Sequence, residues 1–273
     1  MQLRTASRMV PLAGAIAAAA LFCAPMVGAA PSAQLPGVET FERTVPLAKG
    51  GSFSFSNING AVEIEGWDRD DVRIFARKFS SGSPGDLALV GISVTATAGS
   101  VAVATRYPEG SGVDVNVDFQ IRVPARVVLG SVTTVNGSVT IHDVSGSGSL
   151  AAVNGNVVML RSAGPFSART TNGNISIELV SLDGAGASRA SGAPRGIAAQ
   201  TVNGSIALFL PADAGAELDA RTQNGDFSSD LPLLAHTSSA GRVVRGRVGG
   251  GGLPVSLRTV NGSIRLRIAR PLV

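Results

Sequence analysis

Side chains suited to acid–base or metal chemistry are few and widely spaced in this sequence. The 273 residues include two histidines, His142 and His236, and one cysteine, Cys23. A zinc site needs three or four such ligands at defined spacing, and neither histidine has a cysteine or the other histidine nearby. We therefore predict no metal site at these residues and a solvated turn position for His142. Motifs that bind a nucleotide or activate a nucleophilic serine are also missing from the sequence, so we expect no cofactor.

Three aspartates that lie close together, Asp68, Asp70 and Asp71, could supply oxygen ligands for Ca²⁺. Arg69 and Arg73 alternate with them, and the segment joins two predicted strands. This pattern favours a solvated turn in which opposite charges pair locally, with calcium binding as the alternative.

Carboxylates that could cleave a polysaccharide are spread along the chain without a common spacing. Enzymes of that kind bring two carboxyl groups together across the scissile bond. Sugar sites also use aromatic rings for stacking, and only Trp67 and Tyr107 are suited to that role. We expect no catalytic residue, with a polysaccharide lyase or hydrolase as the alternative. The carboxylates considered are Asp114, Asp118, Glu178, Asp183, Asp213, Glu217, Asp219, Asp226 and Asp230.

The composition favours thin, repetitive β-structure. Glycine accounts for 34 of the 273 residues, and aromatic residues make up only 4% of the chain. Hydrophobic residues reach 44%, which is enough for a core and excludes intrinsic disorder. The net charge is +4, and the arginines are scattered apart from Arg242, Arg245 and Arg247. Nucleic-acid binding needs basic residues clustered on one face, so we expect no nucleic-acid partner.

The first 29 residues have the pattern of a secretory signal peptide. Arg4 and Arg8 precede an apolar stretch at residues 9–22, and small residues at 27–29 suit signal peptidase. Cleavage there removes Cys23, so the mature chain has no cysteine and no disulfide. The apolar stretch is too short for a membrane span, and we expect none in the mature chain. We predict a flexible lead-in at residues 30–37 and export to the periplasm, the cell surface or the medium.

A repeated unit is marked by seven Asn-Gly pairs. An apolar residue lies four positions before each asparagine, and threonine lies two positions before it in five of the seven units. Apolar residues at alternate positions on both sides predict two short strands with one apolar face. Asparagine and glycine tolerate positive φ, so each pair predicts a tight turn between the strands. The predicted turn residues are Asn59, Gly60, Asn136, Gly137, Asn154, Gly155, Asn172, Gly173, Asn203, Gly204, Asn224, Gly225, Asn261 and Gly262.

The spacing of these pairs favours a β-solenoid. Asn136, Asn154 and Asn172 are 18 residues apart, which is about one coil of a repeat structure whose like positions stack. A β-sandwich of Asn-Gly hairpins is the alternative. Beyond residue 37 no segment has helical periodicity, so we predict one all-β repeat domain over residues 38–273. Gly-rich insertions near residues 181–196 and 235–254 interrupt it.

The residues of this repeat resemble the bacterial putative-adhesin family, which consists of exported β-strand-repeat domains of otherwise unknown function. The resemblance begins at residues 57–79, continues through 121–124 and the three units between 132 and 179, and ends with 251–266. It implies a right-handed, single-stranded β-helix fold in the cell envelope. The family supplies no catalytic residue, and the two insertions depart from its pattern.

The function we expect from these observations is structural. A non-enzymatic, exported envelope protein would use its β-solenoid as a scaffold or an adhesin-like binding surface. Its partner would be an envelope protein or a surface glycan. The alternatives are a carbohydrate-active β-helix enzyme and a periplasmic accessory in envelope-stress signalling.

Overall fold

The computed structural model describes residues 37–110, 112–182, 194–237 and 242–269. Within them the protein is all-β, as predicted, and helix is confined to one short 3-10 segment, Pro84–Leu89. The predicted signal peptide and residues 30–36 of the predicted lead-in lie outside the described residues. So does most of the first predicted insertion, at residues 183–193.

The strands are short and follow one another along the whole described chain. In chain order they are β1 Val38–Pro46, β2 Ser52–Ser56, β3 Val62–Trp67, β4 Asp71–Ser80, β5 Gly91–Ala96, β6 Ser100–Arg106, β7 Val115–Pro124, β8 Arg126–Asn136, β9 Val139–His142, β10 Ser145–Asn154, β11 Val157–Ala163, β12 Phe166–Arg169, β13 Ile175–Ser181, β14 Ile197–Asn203, β15 Ile206–Leu210, β16 Ala216–Asn224, β17 Phe227–Ser229, β18 Leu233–Thr237, β19 Val243–Val248, β20 Leu253–Asn261 and β21 Ile264–Ile268.

Strand pairing arranges these elements in two rows. In pairing order, row A consists of β5, β6, β2, β8, β10, β12, β14, β20, β16, β19 and β18. Row B consists of β1, β4, β7, β3, β9, β11, β13, β15, β21 and β17. The middle of each row is parallel, and antiparallel strands stand at the ends of row A and at the β1 end of row B.

The two strands that flank an Asn-Gly pair belong to different rows. For example, β8 ends at Asn136 in row A and β9 begins at Val139 in row B. Each pairs in parallel with the corresponding strand of the next unit, β8 with β10 and β9 with β11. The Asn-Gly pair therefore joins two strands whose backbone hydrogen bonds go to neighbouring units.

The core is built from columns of side chains that repeat from unit to unit. The position three residues after each asparagine lies in register along row B, and six of its seven residues are at most 1% exposed. In stacking order this column is Val62, Val139, Val157, Ile175, Ile206, Ile264 and Phe227. The position four before each asparagine forms the buried column of row A, from Phe55 to Ala220. Stacked burial of this kind stabilises the fold by ~25 cal/mol for each Å² of apolar surface removed from water.

Near the C-terminal end, the order of the units in the stack differs from their order in the chain. Strand β20 lies between β14 and β16, and β21 lies between β15 and β17. The unit of Asn261, which comes last in the chain, therefore sits between the units of Asn203 and Asn224. Sequence spacing does not reveal this arrangement, because all seven units have the same pattern.

Part of the second predicted insertion forms regular structure. Strand β19 pairs antiparallel with β16 on one side and with β18 on the other. These strands extend row A, with residues 238–241 outside the described chain. The glycine run after β19 returns the chain to β20, and Gly249 and Gly251 adopt left-handed φ values of 56° and 78° there.

Candidate functional site

The seven asparagines of the Asn-Gly pairs form one continuous ladder at the junction of the two rows. In six of them Nδ2 donates a hydrogen bond to the Oδ1 of the neighbouring asparagine at 2.8–2.9 Å, and Asn59 at the end of the ladder only accepts. In stacking order the ladder is Asn59, Asn136, Asn154, Asn172, Asn203, Asn261 and Asn224. It runs without a break through the point where chain order and stacking order differ.

The glycines that follow these asparagines allow adjacent units to approach closely. A Cβ added to Gly155 would lie 2.0 Å from the Gly137 carbonyl oxygen, and the other stacked pairs give 2.0–2.1 Å. Gly60, at the start of the stack, would place its Cβ 2.2 Å from the Val117 oxygen. The expectation that positive φ explains the motif is wrong for most units. None of the seven asparagines and only three of the seven glycines have φ in the left-handed range, so close contact between backbones is the common requirement.

The threonine two positions before the asparagine forms a hydrogen bond with the Asn-Gly glycine of an adjacent unit. Its Oγ1 donates to the glycine carbonyl oxygen of the adjacent unit, at 2.8–2.9 Å for Thr170, Thr201, Thr222 and Thr259. These side chains are at most 5% exposed. In the first unit Asn57 takes this place, and its Nδ2 donates to the carbonyl oxygens of Asn59, Gly60 and Val117. The buried hydroxyl is thus satisfied by the neighbouring unit.

A second ladder lies two residues after each asparagine, and the sequence analysis missed it. The residue there is serine, asparagine or aspartate in six of the seven units. Its side-chain oxygen accepts from the backbone N–H of the equivalent residue in the next unit, for example Asn156 Oδ1 from Asn174 N at 2.8 Å. The equivalent bonds elsewhere in the stack measure 2.8–3.4 Å. The recurrence of a short polar residue after Asn-Gly was the available signal.

A groove with a volume of about 930 Å³ lies on the outer face of row A. In pairing order, it extends over the row A strands from β10 to β19. We call it the arginine groove, because among the described residues five exposed arginines and two carboxylates, Glu217 and Asp219, line it. The five are Arg169, Arg195, Arg245, Arg247 and Arg258. Arginines that are scattered in sequence are therefore gathered in space, since the register places β12, β14, β20 and β16 side by side.

Asp219, a carboxylate that lines the groove, is surrounded by arginine side chains. Both of its oxygens accept hydrogen bonds from Arg221, each at 2.9 Å, and Arg245 Nε lies 3.8 Å from Oδ1. The hydrogen bond from Arg221 lowers the pKa of Asp219, and the positive charges of Arg221, Arg245 and Arg258 act in the same direction against partial burial. Sequence spacing did not place Asp219 beside these basic side chains, which the register of β16, β19 and β20 brings together.

Among the described residues, three arginines of the groove have no carboxylate partner. Arg245 and Arg247 lie 3.8 Å from Asp219 and Glu217, respectively. Within the described residues, Arg169, Arg195 and Arg258 form no ion pair. The groove therefore carries an excess of exposed positive charge.

A second cavity, of about 460 Å³, lies on row B and has a different balance of charge. Two glutamates and two arginines line it, Glu63, Glu65, Arg73 and Arg122. Glu65 accepts from Arg122 at 2.8 Å, and Arg73 lies 2.6 Å from Glu42. Because its charges pair locally, this cavity offers weaker attraction to an ion than the arginine groove.

Asp68 and Asp70 lie at the bend between β3 and β4, as predicted, whereas Asp71 is the first residue of β4. Asp68 pairs with Lys49 at 2.7 Å and Asp71 with Arg69 at 2.7 Å. His142 is the last residue of β9 and its Nε2 lies 3.5 Å from Glu63 Oε1, with 20% of the side chain exposed. The predicted solvated turn is therefore wrong for His142, because β9 runs on to it and pairs it with Leu160 in β11.

Both aromatic candidates and one further acidic candidate, Asp118, have structural partners. Arg69 and Arg122 lie over the Trp67 ring at 4.7 and 5.7 Å, and the Tyr107 hydroxyl donates to the Val115 oxygen. Asp118 accepts from the Ala61 N–H at 3.0 Å. Asp183 and the side chain of His236 lie outside the described parts of the chain.

Neither a metal cluster nor a membrane-spanning helix occurs in the parts of the chain that the structure describes. Groups of three or more metal-binding side chains are absent from these residues. No described helix has the length and apolar character needed to cross a bilayer.

Sequence comparison finds no family model and no curated protein that matches the chain. Solved structures give weak matches over most of the chain. A putative cell adhesion protein from Clostridium sporogenes has a TM-score of 0.44 at 10% identity, covering 84% of this chain and 99% of its own. A putative adhesin from Bacteroides fragilis gives 0.42 at 11% identity, covering 85% and 98%.

A putative lipid binding protein from Parabacteroides distasonis is less similar still, with a TM-score of 0.24 at 9% identity over 83% of this chain and 96% of its own. Two of these three structures have names that agree with the family that the sequence resembles.

Proposed function

We propose that this chain is a non-enzymatic, exported cell-envelope protein whose strands form a right-handed, single-stranded β-solenoid that serves as a binding scaffold. The solenoid is supported by parallel pairing of corresponding strands in successive units and by one asparagine ladder through seven units. Repeated inter-unit bonds of this kind favour a rigid, extended surface.

The observation that carries the binding role is the arginine groove. Four of its five exposed arginines project from strands that the register holds in fixed relative positions, and Arg195 lies just before β14. A preorganised charged surface binds a partner with less loss of conformational entropy than a mobile one. An envelope protein or a surface glycan would therefore dock on the outer face of row A.

Incubation of the purified mature protein with cell-envelope glycans tests this function. We expect the protein to be retained on the glycans without release of soluble sugar products. Turnover that a single substitution such as Asp219→Asn or Glu217→Gln abolishes would contradict a non-enzymatic role and support the carbohydrate-active alternative.

Export has its own test, which is cell fractionation followed by N-terminal analysis. We expect the mature protein outside the cytoplasm, with an N-terminus close to residue 30. Recovery of the intact chain in the cytoplasm would refute export while leaving the binding role open.

A further inference from the structure

We infer that the arginine groove binds a linear carboxylated polysaccharide, that is, a chain of uronic acid residues. This inference rests on the proposed binding function and names the class of its ligand. It follows from the charge of the groove, the arrangement of its arginines and the chemistry of its floor.

Unpaired guanidinium groups supply the first part of the argument. Arg169, Arg195 and Arg258 are exposed and have no carboxylate partner within the described chain. A guanidinium presents a planar fork of donors that matches the two oxygens of a carboxylate. Next to the groove, Arg221 binds the lining residue Asp219 in this manner, through two 2.9 Å hydrogen bonds.

The arrangement of the arginines favours a polymer with repeated charges. Arg169 pairs in register with Gln200, and Gln200 with Arg258. Arg169 and Arg258 are thus two strands apart on one outward row, a separation of ~9.6 Å at the usual strand spacing. A chain with carboxylates along its length can bind both arginines at once, each through a separate carboxylate.

The floor of the groove suits sugar hydroxyls. Ser149, Ser167 and Ser256 lie on one outward row that also contains Ala198 and ends at Asp219. Each serine hydroxyl can both donate and accept a hydrogen bond, as the hydroxyls of a sugar do. Successive strands repeat this row at ~4.8 Å, along the direction in which the arginines are spaced.

The lining also distinguishes this ligand from single-stranded nucleic acid. Among the described lining residues none is aromatic. Proteins that bind single strands rely on stacking of bases on aromatic side chains in addition to positive charge. A polyuronate needs charge and hydroxyl contacts only.

Binding of polygalacturonate to the mature protein tests the inference, with the double variant Arg169→Ala/Arg258→Ala as the main perturbation. We expect saturable binding that weakens as salt rises, because exposed charges are screened. Each arginine removed should weaken binding by roughly tenfold. The matched control is Arg106→Ala/Arg265→Ala, which removes two exposed arginines outside the groove with the same change in net charge.

The relative binding of the variants and of other ligands tests whether the groove is a carboxylate site. Equal losses in the two double variants, or equal binding of neutral dextran, would overturn the groove as a carboxylate site. Preference for anionic phospholipid vesicles or for single-stranded DNA over polygalacturonate would assign the groove to another class of ligand. If the protein is retained on envelope glycans but ignores polygalacturonate, the inference fails and the proposed function stands. If it releases soluble products, the proposed function fails.

Discussion

At the scale of single residues, each Asn-Gly pair combines two separate requirements. The asparagine connects neighbouring units through its amide, and the glycine leaves room for the backbone of the adjacent unit. Neither role depends on the conformational preference that usually explains Asn-Gly in a tight turn. Substitutions should therefore act through contacts between units.

Gly155→Ala tests the close approach of backbones. Its Cβ would lie 2.0 Å from the Gly137 oxygen, which is backbone and cannot rotate away. We expect the free energy of unfolding to fall by about 3 kcal/mol, at the upper end for overpacking. Urea denaturation of the mature protein measures the change.

The control is Gly91→Ala at the start of β5, where nothing lies within 4 Å of the added Cβ. Alanine there should leave stability unchanged or raise it by about 0.5 kcal/mol, because it restricts the unfolded chain. Similar losses in both variants would contradict the packing explanation for Gly155.

Titration of Tyr107, the sole tyrosine, measures the burial of its own hydroxyl group. Burial raises the pKa of Tyr107 above the ordinary 10.0, and its hydroxyl donates to the Val115 oxygen at 3.0 Å. A raised pKa in the folded state means that the free energy of unfolding falls as pH rises from about 10 through the folded value. Ultraviolet titration of the native and urea-unfolded proteins should give the higher pKa for the native one. Coincident curves would show that Tyr107 is solvated.

At the scale of elements, the unit of two strands and a corner is stabilised mainly by its neighbours. Its strands lie in different rows, and the ladder, the buried threonine and the second ladder all reach the adjacent unit. An asparagine in the middle of the stack therefore makes two ladder bonds, and an asparagine at either end makes one.

Asn154→Ala and Asn224→Ala compare these two positions. Asn154 makes two side-chain bonds in the ladder, while Asn224 donates one and receives none among the described residues. At about 1 kcal/mol for each hydrogen bond, we expect losses of about 2 and 1 kcal/mol. Equal losses in chemical denaturation would indicate that the ladder bonds do not contribute separately.

Much of the unit could be predicted from the sequence, because alternation and the Asn-Gly spacing repeat along the chain. The inward columns and the strands from β2 to β7 follow that alternation. The insertion of β20 and β21 between earlier units could not be predicted, since equivalent units carry equivalent patterns. The arginine groove depends on that insertion, which places Arg258 beside Arg221.

At the scale of the whole molecule, the stack has ends that differ chemically from its interior. The N–H of the paired glycine donates to the asparagine carbonyl of the next unit in six units, for example Gly155 N to Asn172 O. Gly225, in the last unit of the stack, has no such acceptor within the described residues. Its nitrogen is therefore available for attack on the side-chain carbonyl carbon of Asn224, the step that releases ammonia and begins deamidation.

We expect Asn224 to deamidate before the other six asparagines when the native protein is incubated at mildly alkaline pH. Peptide mapping by mass spectrometry measures the order of reaction. The urea-unfolded protein serves as control, and there the seven sites should react at comparable rates. Native Asn154 that reacts as fast as Asn224 would show that stacking gives no protection.

The insertion of the last unit between two earlier ones also governs the order of assembly. During synthesis from the N-terminus, units can be added one after another up to β15. The native parallel neighbours of β16 and β17, which are β20 and β21, are absent until residues 253–268 are made. A truncated chain would leave the facing edges of β14 and β16 unpaired, which invites association with other chains. The native stack thus requires residues 253–268, and a chain interrupted before them differs from the folded protein in which strands remain unpaired.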